Sequence, residues 1–127
     1  MDDALRMFWL GSVLCAKYLA RGHLWTGLWF IESRRNLFLR AWRLAHDPDK
    51  VDWDWAKVHD HVPAPILNRL AETVTPLHRT DLTRALTALM DLMDGQGPAL
   101  AETGGTNYPK AAAAAIRDQV LRILGAQ

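Results

Sequence analysis

From Met7 to Ala20 the chain reads "MFWLGSVLCAKYLA", and Lys17 is the only charged side chain in it. A segment that is apolar nearly all round must be packed on several sides if it is helical. This one is too short, and too interrupted, to span a bilayer. Asp2 and Asp3 stand where a helix N-terminus favours negative charge, and Gly22 stands where a helix stops. The pattern predicts a helix from about Asp3 to Arg21 that carries one expensive charge.

A second helix is predicted from about Leu24 to Ala45. Its Leu28, Trp29, Leu37, Phe38, Ala41, Trp42 and Ala45 recur at helical spacing, and Glu32, Arg34, Arg35, Arg40 and Arg43 take other faces. "HDPDKVDWDW" reads as a loop broken by Pro48, with a short helical turn from Trp53 to His59. Pro63 and Pro65 open a third helix, about Ala64 to Val74, since proline is tolerated in a first turn. A fourth starts from Thr80 as N-cap, carries the stripe Leu82, Leu86, Leu89 and Met93, and ends near Gly95. "GQGP" and "AETGGTNYP" then read as loop, with at most one more turn of helix. The last helix runs from about Pro109 through the alanine run 111–115 to Leu124. Ile116, Val120, Ile123 and Leu124 face inward, and Asp118 and Arg122 pair outside. No stretch alternates with period two for long enough to make a strand. The expected fold class is all-α, a bundle of four to five helices forming one domain over residues 1–127.

Composition narrows the functional classes. The net charge is +1 with both signs interspersed, which favours neither nucleic acid nor an anionic membrane as partner. The single cysteine, Cys15, lies in the apolar run and reads as a small buried residue of a reducing compartment. The acidic start lacks the basic region of a secretory signal, so the expected location is the cytoplasm.

The order of residues in "FWLGSVLCAKYLARGHLW", followed by "FIESRRNLFLRAW", resembles the C-terminal helical domain of aminoglycoside 6-adenylyltransferase-like (streptomycin adenylyltransferase-like) nucleotidyltransferases. The matching positions are Phe8-Trp9, Ala16-Lys17, Arg21 with Leu24, and Glu32 on the next helix. "NYPKAAAAAIRDQVLRIL" is similar to that family's Tyr-Pro turn and terminal helix. The resemblance implies a substrate-binding-domain-like bundle that forms one wall of a nucleotide and aminoglycoside cleft. The family's chemistry lies in an α/β nucleotidyltransferase domain with a Gly-Ser loop and paired aspartates for magnesium, and the chain has no such motif. "DPD" at 47–49 and "DWD" at 52–54 pair acids in a loop without phosphate-cradling glycines. ATP and magnesium are thus implied for a full-length relative, with no catalytic residue, cofactor or metal in this chain.

The resemblance turns Lys17 toward nucleotide phosphates. The competing reading is snorkelling, a stem on the apolar face with its head in water. Glu32, with Trp29 and Arg35 beside it, is the candidate for a cationic acceptor; the competing reading is an ion pair with Arg35 at i,i+3. The six tryptophans read mainly as core, above all Trp9, Trp29 and Trp42, while Trp53 or Trp55 in "DWDW" is a candidate for exposure at a dock. "HDH" at 59–61, with His46 and His78, has no zinc-site spacing. Arg40 and His46 loosely match the arginine–histidine spacing of small helical ribonucleases of the HEPN class. Two functions stay open. One is the helical domain of an adenylyltransferase-like enzyme. The other is a stand-alone interaction module that dimerises, or partners a separate nucleotidyltransferase subunit of the toxin–antitoxin type.

Overall fold

The computed structural model of the protein describes residues 1–49 and 58–125. These hold six helices and no strand: α1 (Asp2–Ala20), α2 (Leu24–His46), α3 (Val58–His61), α4 (Ala64–Ala71), α5 (Arg79–Thr103) and α6 (Lys110–Gly125). The four long ones make the bundle, and α3 and α4 add one short turn and two turns at its side. Trp53, Trp55 and the expected helical turn before Val58 lie outside the described residues.

α1 and α2 form an antiparallel hairpin. Gly22 at φ 77° turns the chain, and its N–H and that of His23 reach back to the carbonyls of Leu19 and Tyr18. This is the glycine-terminated ending that satisfies a helix's last carbonyls. α5 ends the same way, with Gly105 at φ 76° and the N–H of Thr106 bonded to the carbonyl of Ala101. α5 lies across the inner side of both hairpin helices, and α6 packs along α1. Leu5, Phe8, Trp9 and Leu19 of α1 meet Ile31 and Phe38 of α2 and Leu82, Leu86, Leu89, Met90 and Met93 of α5, all fully buried. α6 contributes Ala113 and Val120, with Ile116, Ile123 and Leu124 partly covered, as the periodicity predicts.

Five local expectations change. α5 does not stop at Gly95 but continues through Gly97 and Pro98 to Thr103. Pro98 forfeits one backbone bond, but Gly97, Leu100 and Ala101 are buried there, so tertiary packing carries the helix past its breaker. α5 also begins before Thr80, with His78 as N-cap and no side-chain cap bond. α4 stops at Ala71, short of Val74. Trp29 is 63% exposed instead of lying in the core. Arg34 and Arg35, expected on outer faces, are buried. In addition, Arg122 does not pair with the Asp118 carboxylate; its Nε donates to the Asp118 backbone carbonyl at 3.4 Å.

Candidate functional site

The outward side of the hairpin holds most of the expected site residues. On α1, Met7, Leu10, Leu14 and Lys17 follow each other by three or four positions, which places them on one side of the helix. α2, α5 and α6 cover the other sides, and all four residues are exposed. On α2, Trp25, Trp29, Glu32 and Asn36 form the equivalent exposed stripe. Leu10 is 64%, Trp25 75% and Trp29 63% accessible. The two stripes are joined by aromatic contacts. Trp29 meets Phe30 edge-on with ring centroids 5.0 Å apart, and Phe30 stacks on Tyr18 of α1 at 5.7 Å. Monomeric domains seldom leave so many large apolar side chains exposed on two neighbouring helices.

Glu32 and Arg35 behave as an intrahelical pair, Arg35 Nη1 donating to Glu32 Oε2. The rest of the Arg35 fork is also taken. Nε donates to Thr73 Oγ1 and Nη2 to the Thr73 carbonyl, both at 2.9 Å, and Thr73 Oγ1 donates to the Leu70 carbonyl. Arg35 therefore clamps the end of α4 onto α2, buried and with each of its three nitrogens engaged. It also lines an open apolar groove of about 200 Å³ with Leu39, Val58, His59, Leu67, Leu70, Ala71 and Val74. Neither Lys17 nor Glu32 lines that groove.

Arg34, one position earlier, has the opposite fate. It is 4% exposed, and its Nε and Nη1 have no hydrogen-bond partner. Its guanidinium lies in the notch over Gly11, where any Cβ would collide with it, 5.7 Å from the Phe30 ring centroid. Burial pulls its pKa down to about 10. Cys15 is also fully buried, its thiol facing the Gly27 carbonyl at 3.6 Å. Burial pushes the thiol up to about 12, and the nearby Arg34 charge offsets only part of that. A thiol so placed is inert.

One polar network was not foreseen from the sequence. Trp9 Nε1 donates to Tyr108 Oη at 3.0 Å, and Tyr108 Oη donates to Asp94 Oδ1 at 2.7 Å. Arg117 on α6 donates Nε and Nη2 to Asp94 Oδ2 and Nη1 to Asp91 Oδ1. Burial, the Asp94 hydrogen bond and the Asp94 charge raise the Tyr108 pKa well above the usual phenol range. Burial works against the Arg117 cation, but the hydrogen bonds and charges of Asp94 and Asp91 outweigh it and raise its pKa. Every partner in the network is met, so its role is to lock α1, α5 and α6 together. The legible signal was Asp91 and Asp94 three positions apart, facing an arginine on the next helix. Trp9 and Tyr108, which helped carry the family resemblance, are thus packing residues.

His46 stacks on Trp42 at 4.7 Å and its Nδ1 lies 3.0 Å from the Trp42 carbonyl, while Arg40 is exposed. Among the described residues no three His, Cys, Asp or Glu side chains gather as metal ligands would, and no helix is long and apolar enough to cross a membrane. No family model, curated protein or solved structure matches this chain.

Proposed function

We propose that the chain is a non-catalytic helical docking module and that the outward face of the α1–α2 hairpin is its docking surface. The single observation that carries this reading is that face: Met7, Leu10, Leu14, Trp25 and Trp29 in water, edged by Lys17 and Glu32. The sequence resemblance supplies a setting for it. In that setting the module is the helical substrate-binding domain of an aminoglycoside adenylyltransferase-like nucleotidyltransferase, and forms one wall of the nucleotide and aminoglycoside cleft. Lys17 turns to the nucleotide phosphates, and Glu32 and Trp29 to a cationic acceptor. ATP and magnesium belong to the α/β domain, in the same chain or in a separate subunit. Arg35 leaves the binding set, because it is buried and Thr73 and Glu32 engage each of its three nitrogens. The lone buried cysteine supports a cytoplasmic setting.

Two measurements test the reading. The chain alone, given ATP, magnesium and streptomycin, transfers no AMP; robust transfer by it would overturn the non-catalytic reading. A photo-crosslinking amino acid placed at Leu14 in the producing cell gives an adduct of one discrete mass. The same amino acid at exposed Asn68 gives none. No adduct from position 14 sinks the docking reading.

A further inference from the structure

The occupant of the docking face is written in the charge order along α1; the inference rests on that face being a docking surface and takes the module as standing alone, since a second copy there excludes a nucleotide cleft. From its start to its end, the exposed residues of this side are Asp3, Arg6, Met7, Leu10, Leu14, Lys17 and, in the turn, Arg21. Arg6 is held by Asp2 at 3.3 Å. The side chains of Asp3, Lys17 and Arg21 make no hydrogen bond or ion pair among the described residues. The stripe therefore has an unmet acid at one end, large apolar side chains in the middle and two unmet bases at the other end. The helix macrodipole accounts for the order of the charges. It gives no reason for leaving Met7, Leu10 and Leu14 in water between them.

We infer that a second copy of this chain docks here, α1 against α1, antiparallel about a two-fold axis between Leu10 and Leu14. In that register Leu10 of one copy faces Leu14 of the other, Met7 faces Lys17, and Asp3 faces Arg21. The apolar centre closes on itself, and each end gains a carboxylate–guanidinium pair with Lys17 one turn away. A parallel pairing would instead set Lys17 and Arg21 against their own copies. The antiparallel contact is isologous, so it stops at a dimer. Trp29 is tied to the C-terminal half of α1 through Phe30 and Tyr18. The two hairpins then meet through their α1 helices.

The test is sedimentation of the full chain over a concentration series, with far-UV circular dichroism confirming that each variant is folded. The natural chain shows a reversible monomer–dimer equilibrium. Leu10→Glu abolishes it. Asp3→Lys and Arg21→Glu each weaken it by about tenfold, because each homodimer then carries two like-charge ends. Mixed together, those two variants recover the natural affinity, since the mixed dimer has Lys against Glu at one end and Asp against Arg at the other. That rescue is specific to the antiparallel register. A dimer indifferent to these charges overturns the inference. A natural chain that stays monomeric while position 14 still crosslinks to a different protein overturns self-pairing and leaves the docking module standing. A monomer with no adduct at all sinks both.

Discussion

Arg34 and Arg117 are both arginines caught between helices, and the fold treats them in opposite ways. Arg117 brings three of its nitrogens to Asp91 and Asp94, and Asp94 in turn holds Tyr108. Arg34 is the more buried of the two, yet its Nε and Nη1 donate to nothing; it has a glycine notch and an aromatic ring. Burying a charge costs several kcal/mol unless partners compensate it. The α1–α5–α6 seam thus gains a specific lock from its arginine, whereas the α1–α2 seam accommodates its arginine at a cost.

The largest effect expected from this contrast is at Asp94. Asp94→Ala removes the partner of Arg117 Nε and Nη2 and of the Tyr108 hydroxyl together, and lowers stability by about 3 kcal/mol in urea denaturation. A loss below about 1 kcal/mol would mean the lock contributes no more than an exposed pair. Gly97→Ala comes next. A Cβ there meets the Tyr108 ring, which its hydrogen bonds to Asp94 and Trp9 hold in place. The variant loses about 2 kcal/mol, the range for overpacking.

Cys15 probes the Arg34 seam by pH. The folded thiol is raised to about 12 from its ordinary value of 9.0, so the folded state keeps its proton where the unfolded chain has lost it. This contribution is whole below pH 9 and is lost progressively as pH climbs toward 12. At one unit above the unfolded value the loss is about 1 kcal/mol, and Cys15→Ala removes that slope. The native thiol stays unreactive toward a disulfide reagent until the protein unfolds. Arg34→Met keeps the volume and removes the stranded charge, and stability holds or rises by about 1 kcal/mol. The smallest change is at Gly11. Its Cβ would displace only the unanchored Arg34 head, and alanine favours a helix by up to about 1 kcal/mol over glycine, so Gly11→Ala is close to neutral. If Gly11→Ala cost as much as Gly97→Ala by the same denaturation, Arg34 would be as firmly held as Tyr108, and the contrast would fail.

These two seams also mark how far the sequence could be read. The helical class was legible, and so were the extents of α1, α2 and α6, because apolar periodicity, Gly22 and the alanine run act within a turn or two of chain. The exposure of Lys17 and the Glu32–Arg35 pair were open alternatives that local spacing already named. The candidate site was legible only as a set of positions. Trp29 looked like core because a single helix does not reveal which of its sides has a neighbour.

The sequence by itself determined which segments are helical and where most of them stop, since those are local backbone preferences. The tertiary structure alone decided that Arg34 and Arg35 go inside while Trp29 stays out. It also decided that α5 runs on past Pro98, and that Trp9, Asp94, Tyr108 and Arg117 meet. Burial and hydrogen bonding depend on what another helix brings from far along the chain, and in this protein α5 and α6 bring it to the inner and flanking sides of α1 and leave its outer side bare.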